Sequence, residues 1–407
     1  MPASEATDSL AGPPPEEATY QVFLENSGSM DGYVRGTTAF KDDIYQLLVD
    51  IGYISDRLML FYINSQPIPY TEGTEDFISN LEPGEFQRRG GNRSNSDLNQ
   101  IFTSLLGRTS DQRVILLISD FILSLEEGDT QDLLNRQRIS VYNTFRQRLE
   151  EEPFATYLVK MYSDFSGNYY TLNDRPVSLE NVRRPYYLCF VGPPATIRAL
   201  PKELNVDQLP GFERSYTLLP TETPEVPFYT VLNNTYKRGQ FRTDRSAAGS
   251  GYVHGIENVE ASQRGEFEGS FGFSVAANLS EVAVDEQYLL NPENYETSGY
   301  QLDTVYTLSQ VSAFHPRDRT MVEGKTTHVL VFSTTDRSYP DLRFSLKRQV
   351  PDWVAQTHTD DDSQIKTDDA LHAQTFGFRY LVAGIEEAYR SVFGQNPYFT
   401  LEVSVNR

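Results

Sequence analysis

The first half of the chain alternates between short apolar runs and longer stretches in which apolar residues recur at helical spacing. In the first such stretch, Phe40, Ile44, Leu47 and Ile51 are three or four residues apart, with charged residues between them. Strands that alternate with helices predict a mainly parallel, doubly wound α/β sheet of the Rossmann-like type. The predicted strands are 20–24, 58–64, 113–119, 154–162 and 185–192, and the predicted helices are 39–52, 96–107, 130–151 and 193–204.

Beyond about residue 210 the pattern changes to a period of two. Apolar and polar residues alternate in FEGSFGFSV, where Phe267, Phe271, Phe273 and Val275 share a face, and again in DLRFSLK and YFTLEVSV. This alternation is typical of antiparallel strands with one buried face. We therefore expect a mainly antiparallel, sandwich-like β domain with one late helix near 376–393.

These patterns divide the chain into three parts. Residues 1–18 are small, acidic and proline-rich, and predict a flexible tether. Residues 19–208 form the predicted α/β domain and residues 209–407 the predicted β-rich domain. Within the α/β domain, residues 166–179 lie between two predicted strands and are expected to form an inserted hairpin or loop.

Composition limits the possible partners. The formal charge of −22 repels phosphate backbones, so nucleic acid is excluded as an expected partner. No apolar run is long enough to predict a transmembrane segment. The single cysteine, Cys189, lies in an apolar strand and is expected to be buried. A tether that leads into a domain is common in exported proteins, which favours an exported, periplasmic or envelope-anchored protein over a cytoplasmic one, although the same segment could equally be an ordinary tail. The sequence does not indicate an oligomeric state.

Three segments of the α/β domain end in oxygen donors. The first strand runs into Glu25-Asn26-Ser27-Gly28-Ser29, and the strand at 113–119 ends in Ser119-Asp120. The third segment is the loop RRGGNRSNSDL, which carries Ser94 and Ser96 just before a helix. In a doubly wound sheet, ligands bind beyond the carboxyl ends of the strands. Hydroxyl and carboxylate oxygens are the ligands that Mg²⁺, Mn²⁺ and Ca²⁺ prefer.

The three segments resemble the motifs of a von Willebrand factor A (vWA) domain with a metal-ion-dependent adhesion site (MIDAS). The family's Asp-x-Ser-x-Ser is matched by Glu25-x-Ser27-x-Ser29, with Glu in place of Asp. The family's loop Thr is matched by Ser96, with Ser94 as the reserve, and its strand-ending Asp by Asp120. The resemblance covers about residues 18–205. It implies a divalent cation, Mg²⁺ or alternatively Mn²⁺ or Ca²⁺, held by Glu25, Ser27, Ser29, Ser96 and Asp120.

The resemblance also implies a function. In this family an occupied site leaves one coordination position open, which an acidic side chain of a protein partner fills. The chain is therefore expected to be a protein-binding or assembly module and not an enzyme. The residues expected to contact the partner beside the cation are Arg88, Arg89, Arg93, Asp31 and Tyr33.

Other interpretations of the same residues remain open. Ser27 and Ser29 could cap the first helix, and the arginines could balance Glu25, Asp97 and Asp120. A metal-dependent hydrolase could use Glu25 or Asp120 on a bound water, but the N-terminal half has no histidine to assist. A metal-free structural subunit with a vestigial motif is the third alternative. The acidic run TDDDSQIKTDDAL, 359–371, lacks the Gly and Glu of an EF-hand and is expected to be a solvated loop.

Overall fold

The computed structural model describes residues 18–89, 91, 93, 97–125, 128–172, 175–220, 226–244 and 252–406. They form two compact units. The first unit contains the described residues up to Glu213 together with Thr357–Ile385, and the second contains Arg214–Gln356 and Glu386–Arg407. The sequence had assigned 357–385 to the β-rich domain, whereas these residues belong to the first unit. The predicted tether lies, except for Ala18, outside the described residues.

The first unit is built on a seven-stranded mixed sheet with the order β3-β2-β1-β4-β6-β5-β7. Its strands are β1 (Thr19–Glu25), β2 (Leu58–Ile63), β3 (Pro67–Tyr70), β4 (Arg113–Ser119), β5 (Ala155–Tyr170), β6 (Pro176–Gly192) and β7 (Phe212–Leu218), of which only Phe212 and Glu213 belong to the first unit. Its helices are α1 (Ala39–Ile54), α2 (Thr74–Ser79), α3 (Pro83–Arg88), α4 (Leu98–Leu106), α5 (Thr130–Glu151) and α6 (Pro194–Glu203).

The centre of this sheet is parallel, as predicted. Strand β1 pairs in parallel with β2 on one side and with β4 on the other. Val22 lies opposite Leu60 and Leu116, and all three side chains are buried because helices cover such strands on both faces. In this register Leu24 lies opposite Ile118, so the carboxyl ends of β1 and β4 are neighbours.

The other side of the sheet is antiparallel, so the prediction of a mainly parallel sheet was wrong there. Strands β5 and β6 form one long hairpin, and β6 pairs antiparallel with β4. The segment 166–179 supplies the distal end of this hairpin. Only residues 171–175 separate the two strands, and a connection this short joins antiparallel neighbours. The hairpin carries Tyr170 to the carboxyl end of β1, where Gly28 lies close to its ring.

The second unit contains two β-sheets that share one core. Their orders are β12-β15-β18-β10-β9 and β13-β14-β11-β8, and the pairs are antiparallel except for β10 with β18. Rings of both sheets meet in the core, where Phe332 and Phe344 have centroids 4.9 Å apart. The strands are β8 (Tyr229–Leu232), β9 (Gln240–Thr243), β10 (Gly255–Glu260), β11 (Phe271–Ala277), β12 (Tyr295–Ser298), β13 (Gln301–Thr307), β14 (His328–Thr334), β15 (Leu342–Leu346) and β18 (Phe399–Val405).

The remaining elements are short, apart from one late helix. They are α7 (Glu286–Leu290), α8 (Pro316–Val322), α9 (Asp352–Gln356), β16 (His358–Thr359), β17 (Thr375–Phe376) and the late helix α10 (Phe378–Phe393). The prediction of antiparallel sheets and a late helix is confirmed. Strand β11 differs in detail, because it begins at Phe271 and is buried on both faces, whereas Phe267 precedes it and is 43% exposed.

Two simpler expectations concern burial. Cys189 is buried in β6, as predicted, and burial raises the pKa of its thiol to about 12. In the described part of the chain, no helix combines the length and the apolar character needed to cross a membrane.

Candidate functional site

A cleft of about 100 Å³ opens where β1 and β4 end. Four of the five predicted metal ligands line it, namely Glu25, Ser27, Ser29 and Asp120. Ser96 and its reserve Ser94 lie outside the described residues. The parallel register of β1 and β4 explains the convergence, because both strands deliver their next residues to the same edge of the sheet.

Asp120 is the carboxylate with the most unusual surroundings. It is 2% exposed, and its Oδ1 accepts a hydrogen bond from the Ile122 N–H at 3.3 Å. Its Oδ2 is buried and has no hydrogen-bond partner among the described residues. Burial raises the pKa of Asp120, whereas the Ser29 hydroxyl, the Ile122 N–H and the Arg184 guanidinium act in the opposite direction. A buried carboxylate oxygen without a partner is costly, and a cation or a proton would remove that cost.

The backbone directly after Asp120 is strained. Phe121 has a φ of 52°, in the left-handed region that a bulky side chain rarely occupies. Its ring is fully buried and stacks on Tyr187 with a centroid distance of 5.3 Å, so packing holds the conformation in place. Such strain clusters at binding sites because it aims side chains that a regular strand would turn elsewhere. Here it ends β4 abruptly and leaves Asp120 at the cleft.

The two serine hydroxyls do not cap a helix, so that alternative is wrong. Ser27 Oγ and Ser29 Oγ lie 3.1 Å apart and hydrogen-bond to each other. The 3₁₀ turn Ser29–Gly32 has Gly28 as its N-cap, with no side-chain cap, and α1 begins only at Ala39. Both hydroxyls line the cleft with their lone pairs available to a ligand.

Glu25 is held from the neighbouring strand. Its side chain is 1% exposed and accepts a hydrogen bond from the Ser119 hydroxyl, whose oxygen in turn accepts the Phe121 N–H at 2.9 Å. Ser119 was not predicted as a site residue. Its position at the end of an apolar strand, beside Asp120, was the available signal.

The second predicted loop contacts the first one through Arg93. The Arg93 carbonyl accepts the Gly28 N–H at 3.0 Å, and its guanidinium donates to the Asn26 carbonyl at 2.7 Å. The same guanidinium forms an ion pair with Asp31, and each side chain is 18% exposed. Arg93 lines the cleft and Asp31 fixes it there. The predicted partner contacts Arg93 and Asp31 therefore bind each other in this structure.

The other predicted partner contacts differ in accessibility. Arg88 is 73% exposed and pairs with Glu85. Arg89 is 20% exposed, pairs with Glu85 and Glu72, and stacks on Tyr70 at 4.4 Å. The arginines thus pair with acids other than those that the charge-balancing interpretation named.

Tyr33 was wrongly predicted as a partner contact. It is fully buried, and its hydroxyl donates to the Pro185 carbonyl at 2.5 Å. Its ring packs against Phe40, Phe165 and Tyr186. The hairpin of β5 and β6 covers it, and no pattern near Tyr33 indicates that two distant strands lie there.

Two further residues support the cleft although the sequence did not point to them. Asp362 is fully buried, accepting the Tyr169 hydroxyl at 2.6 Å and the Leu172 N–H at 2.8 Å. The prediction of a solvated loop is therefore wrong at this residue. Arg184 is also fully buried, with its guanidinium 4.4 Å from the Tyr169 ring centroid. Its positive charge lowers the pKa of both Asp120 and Asp362, against the larger effect of burial.

The donor set of the cleft fits a hard divalent cation. Two carboxylates and two hydroxyls face one small space, and within the described part of the chain one carboxylate oxygen has no hydrogen-bond partner. Among the described residues there is no cluster of three or more His, Cys, Asp or Glu side chains suited to a metal, so the serine hydroxyls would be needed as ligands. Comparison of the chain with protein-family models, curated proteins and solved structures finds no match.

Proposed function

We propose that the first unit is a protein-binding module of the vWA type, whose cleft holds Mg²⁺, or alternatively Mn²⁺ or Ca²⁺, and uses it to capture a carboxylate of a protein partner. The observation that carries this proposal is the buried Oδ2 of Asp120, which has no hydrogen-bond partner among the described residues and lies beside the hydroxyls of Ser27 and Ser29. In MIDAS-type sites, oxygen donors of this kind hold the cation. Ser96 remains the proposed additional ligand.

Charge explains why a cation would matter to this protein. The chain carries a formal charge of −22, and the cleft floor adds two buried carboxylates. An acidic partner would be repelled from such a surface. A bound divalent cation would neutralise Glu25 and Asp120 locally and supply an open coordination position to the partner's carboxylate.

The cleft lining favours binding over catalysis. Four apolar residues, Ile122, Leu123, Leu125 and Leu172, line it beside the polar groups, and Arg93 contributes a positive charge. No histidine of the described chain lines it, so general acid–base chemistry lacks its commonest residue there. These features suit an acidic side chain flanked by apolar ones.

A thermal melt tests whether the cleft binds a cation. We expect millimolar Mg²⁺ or Mn²⁺ to raise the melting temperature of the parent, since ligand at 100 times its Kd adds about 2.7 kcal/mol to the folded state. The double variant Ser27→Ala/Asp120→Asn should lose this shift, because a hydroxyl and a charged carboxylate oxygen are removed together. Asp111→Asn, at an exposed position away from the cleft, is the matched control and should retain the shift.

The outcomes separate the alternatives. An unshifted parent melt, or an equal shift in Ser27→Ala/Asp120→Asn, would remove the cation from the proposal. The metal-free structural subunit would then be the better interpretation. Loss of the shift in Asp111→Asn as well would show that the cations act on the surface generally.

Acetate serves as a probe of the open coordination position. With Mn²⁺-loaded protein, we expect paramagnetic broadening of the acetate methyl resonance, because the acetate oxygen reaches the protein-bound ion. EDTA, or the Ser27→Ala/Asp120→Asn variant, should abolish the broadening. A parent that binds Mn²⁺ but leaves acetate sharp would indicate a closed, structural cation and would contradict the capture of a partner carboxylate.

A further inference from the structure

Residues 357–377 form a segment that belongs to the first unit although the chain on its N-terminal side belongs to the second. We call it the returning segment. Its two ends are tied together, because His358 and Thr359 in β16 pair in parallel with Thr375 and Phe376 in β17. Three of its contacts reach residues of the cleft or residues directly beside them.

The first contact holds the hairpin wall of the cleft. Tyr170, Thr171 and Leu172 line the cleft from the end of β5. Both carboxylate oxygens of Asp362 bind this end of β5. One accepts a hydrogen bond from the Tyr169 hydroxyl, and the other accepts one from the Leu172 N–H. Asp362 and Tyr169 are buried and Leu172 is partly buried, so loss of either hydrogen bond would leave an oxygen of Asp362 unpaired away from water.

The second contact holds another lining residue, Leu123. The Leu123 N–H donates to the Phe376 carbonyl at 3.4 Å, and Leu123 lines the cleft just after Asp120. Gly377, with φ 75°, lies so close that an added Cβ would be 2.4 Å from Leu123 Cδ1. Only glycine satisfies both the backbone angle and this approach.

The third contact is with the buried Arg184 on β6. The two terminal nitrogens of Arg184 donate to the carbonyls of His372 and Gln374 at 3.4 and 3.3 Å. Arg184 also exerts its charge on Asp120. Three residues further along β6, the Tyr187 hydroxyl hydrogen-bonds to the Thr375 hydroxyl at 2.9 Å. The returning segment therefore fixes the counter-charge of the cleft as well as its walls.

We infer that the returning segment holds the cleft in its binding shape and that Asp362 is a positioning residue for the ligand that the cleft binds. Without the Asp362 carboxylate, residues 169–172 would lose their two anchoring hydrogen bonds, and the cleft would lose its shape. This inference rests on the proposed function for the identity of the ligand. The anchoring of the wall itself does not depend on a cation.

The test uses the full chain and two readouts. Hydrogen exchange measures the protection of the Leu172 amide, and calorimetric titration with Mg²⁺ or Mn²⁺ alone measures the Kd. In Asp362→Ala we expect faster exchange at 169–172 and cation binding about 10-fold weaker or more, the range found when supporting groups of a metal site are removed. Tyr169→Phe, which removes one bond and keeps the ring, should shift both readouts in the same direction by less. Asp369→Asn, whose side chain is 98% exposed on the same segment, is the control and should match the parent.

Each outcome is decisive. The inference would be overturned if Asp362→Ala bound the cation as tightly as the parent, or if exchange at the Leu172 amide were unchanged. If Asp362→Ala fails to fold, the same two criteria apply to Tyr169→Phe. A parent that binds no cation would remove the proposed function, and the exchange readout would still decide whether Asp362 anchors the wall.

Discussion

At the scale of single residues, burial acts on two carboxylates of the first unit in different ways. Asp120 faces the cleft, and one of its oxygens has no hydrogen-bond partner in the part of the chain that the structure describes. Asp43, on α1, is also fully buried, but both of its oxygens are paired, one with the Tyr186 hydroxyl at 2.5 Å and the other with the Gly211 N–H at 3.1 Å. Burial raises the pKa of Asp43 to about 6, and its two hydrogen bonds only partly oppose the effect. Asp43 is thus a structural acid and Asp120 a candidate ligand.

The raised pKa of Asp43 predicts a pH dependence of stability. Because the folded value lies above the ordinary 3.8, the folded state binds more protons between about pH 4 and pH 6. Stability contributed by Asp43 is therefore present below the unfolded pKa and is lost as pH rises through the folded one, by about 3 kcal/mol in total. Asp43→Asn removes this titration.

Urea denaturation at pH 4, 5, 6 and 7 checks this. The free energy of unfolding of Asp43→Asn, relative to the parent, should rise by about 2–3 kcal/mol across the range. Other buried acids titrate in both proteins and cancel in the difference. A difference that stays constant with pH would show that Asp43 is ionised throughout.

At the scale of elements, the sequence predicts the local structures better than their pairing. The helices α1, α4, α5, α6 and α10 lie within a few residues of their predicted positions because each has an apolar face with helical spacing. Strand β3 and helices α2 and α3 were missed because four to six residues are too few to show a period. The antiparallel placement of β6 beside β4 could not be predicted either, since it depends on which sheet edge the hairpin occupies.

The hairpin of β5 and β6 packs against the turn Ser29–Gly32, where Gly167 and Gly32 come close together. An added Cβ on Gly32 would lie 2.3 Å from Phe165 Cε2, and one on Gly167 would lie 2.7 Å from Gly32 Cα. These are distances that packed atoms cannot adopt. The turn Ser29–Gly32 therefore requires a small residue at position 32, and strand β5 requires one at position 167.

Gly32→Ala should consequently destabilise the protein by about 1–3 kcal/mol, the usual cost of overpacking. Gly52→Ala is the matched control, because Gly52 is exposed within α1 with open space around its Cα, and alanine there should stabilise by about 0.5–1 kcal/mol. Urea midpoints measure both. If Gly32→Ala matched the parent, the contact between turn and hairpin would be looser than the structure describes.

At the scale of the whole molecule, sequence reasoning located part of the site but not its support. Glu25, Ser27, Ser29 and Asp120 were recognisable because each follows an apolar strand, and parallel strands end at one edge. Asp362 was not recognisable because it lies about 190 residues from the groups it binds. Arg184 was not recognisable because nothing in the sequence distinguishes it from other charged residues of a strand. Hydrophobic periodicity and short motifs describe residues that are close together along the chain. They cannot predict that residues 357–385 return to the first unit, because that depends on how the whole chain folds.

The most direct test of the account is the anomalous diffraction of a crystal soaked in MnCl₂. We predict one strong peak in the cleft, within about 2.2 Å of Asp120 Oδ2 and of at least one of the hydroxyls of Ser27 and Ser29. The same map would show whether Ser96 joins them. Full occupancy of Mn²⁺ elsewhere with nothing beside Asp120, at a pH where Asp120 is ionised, would contradict the central claim.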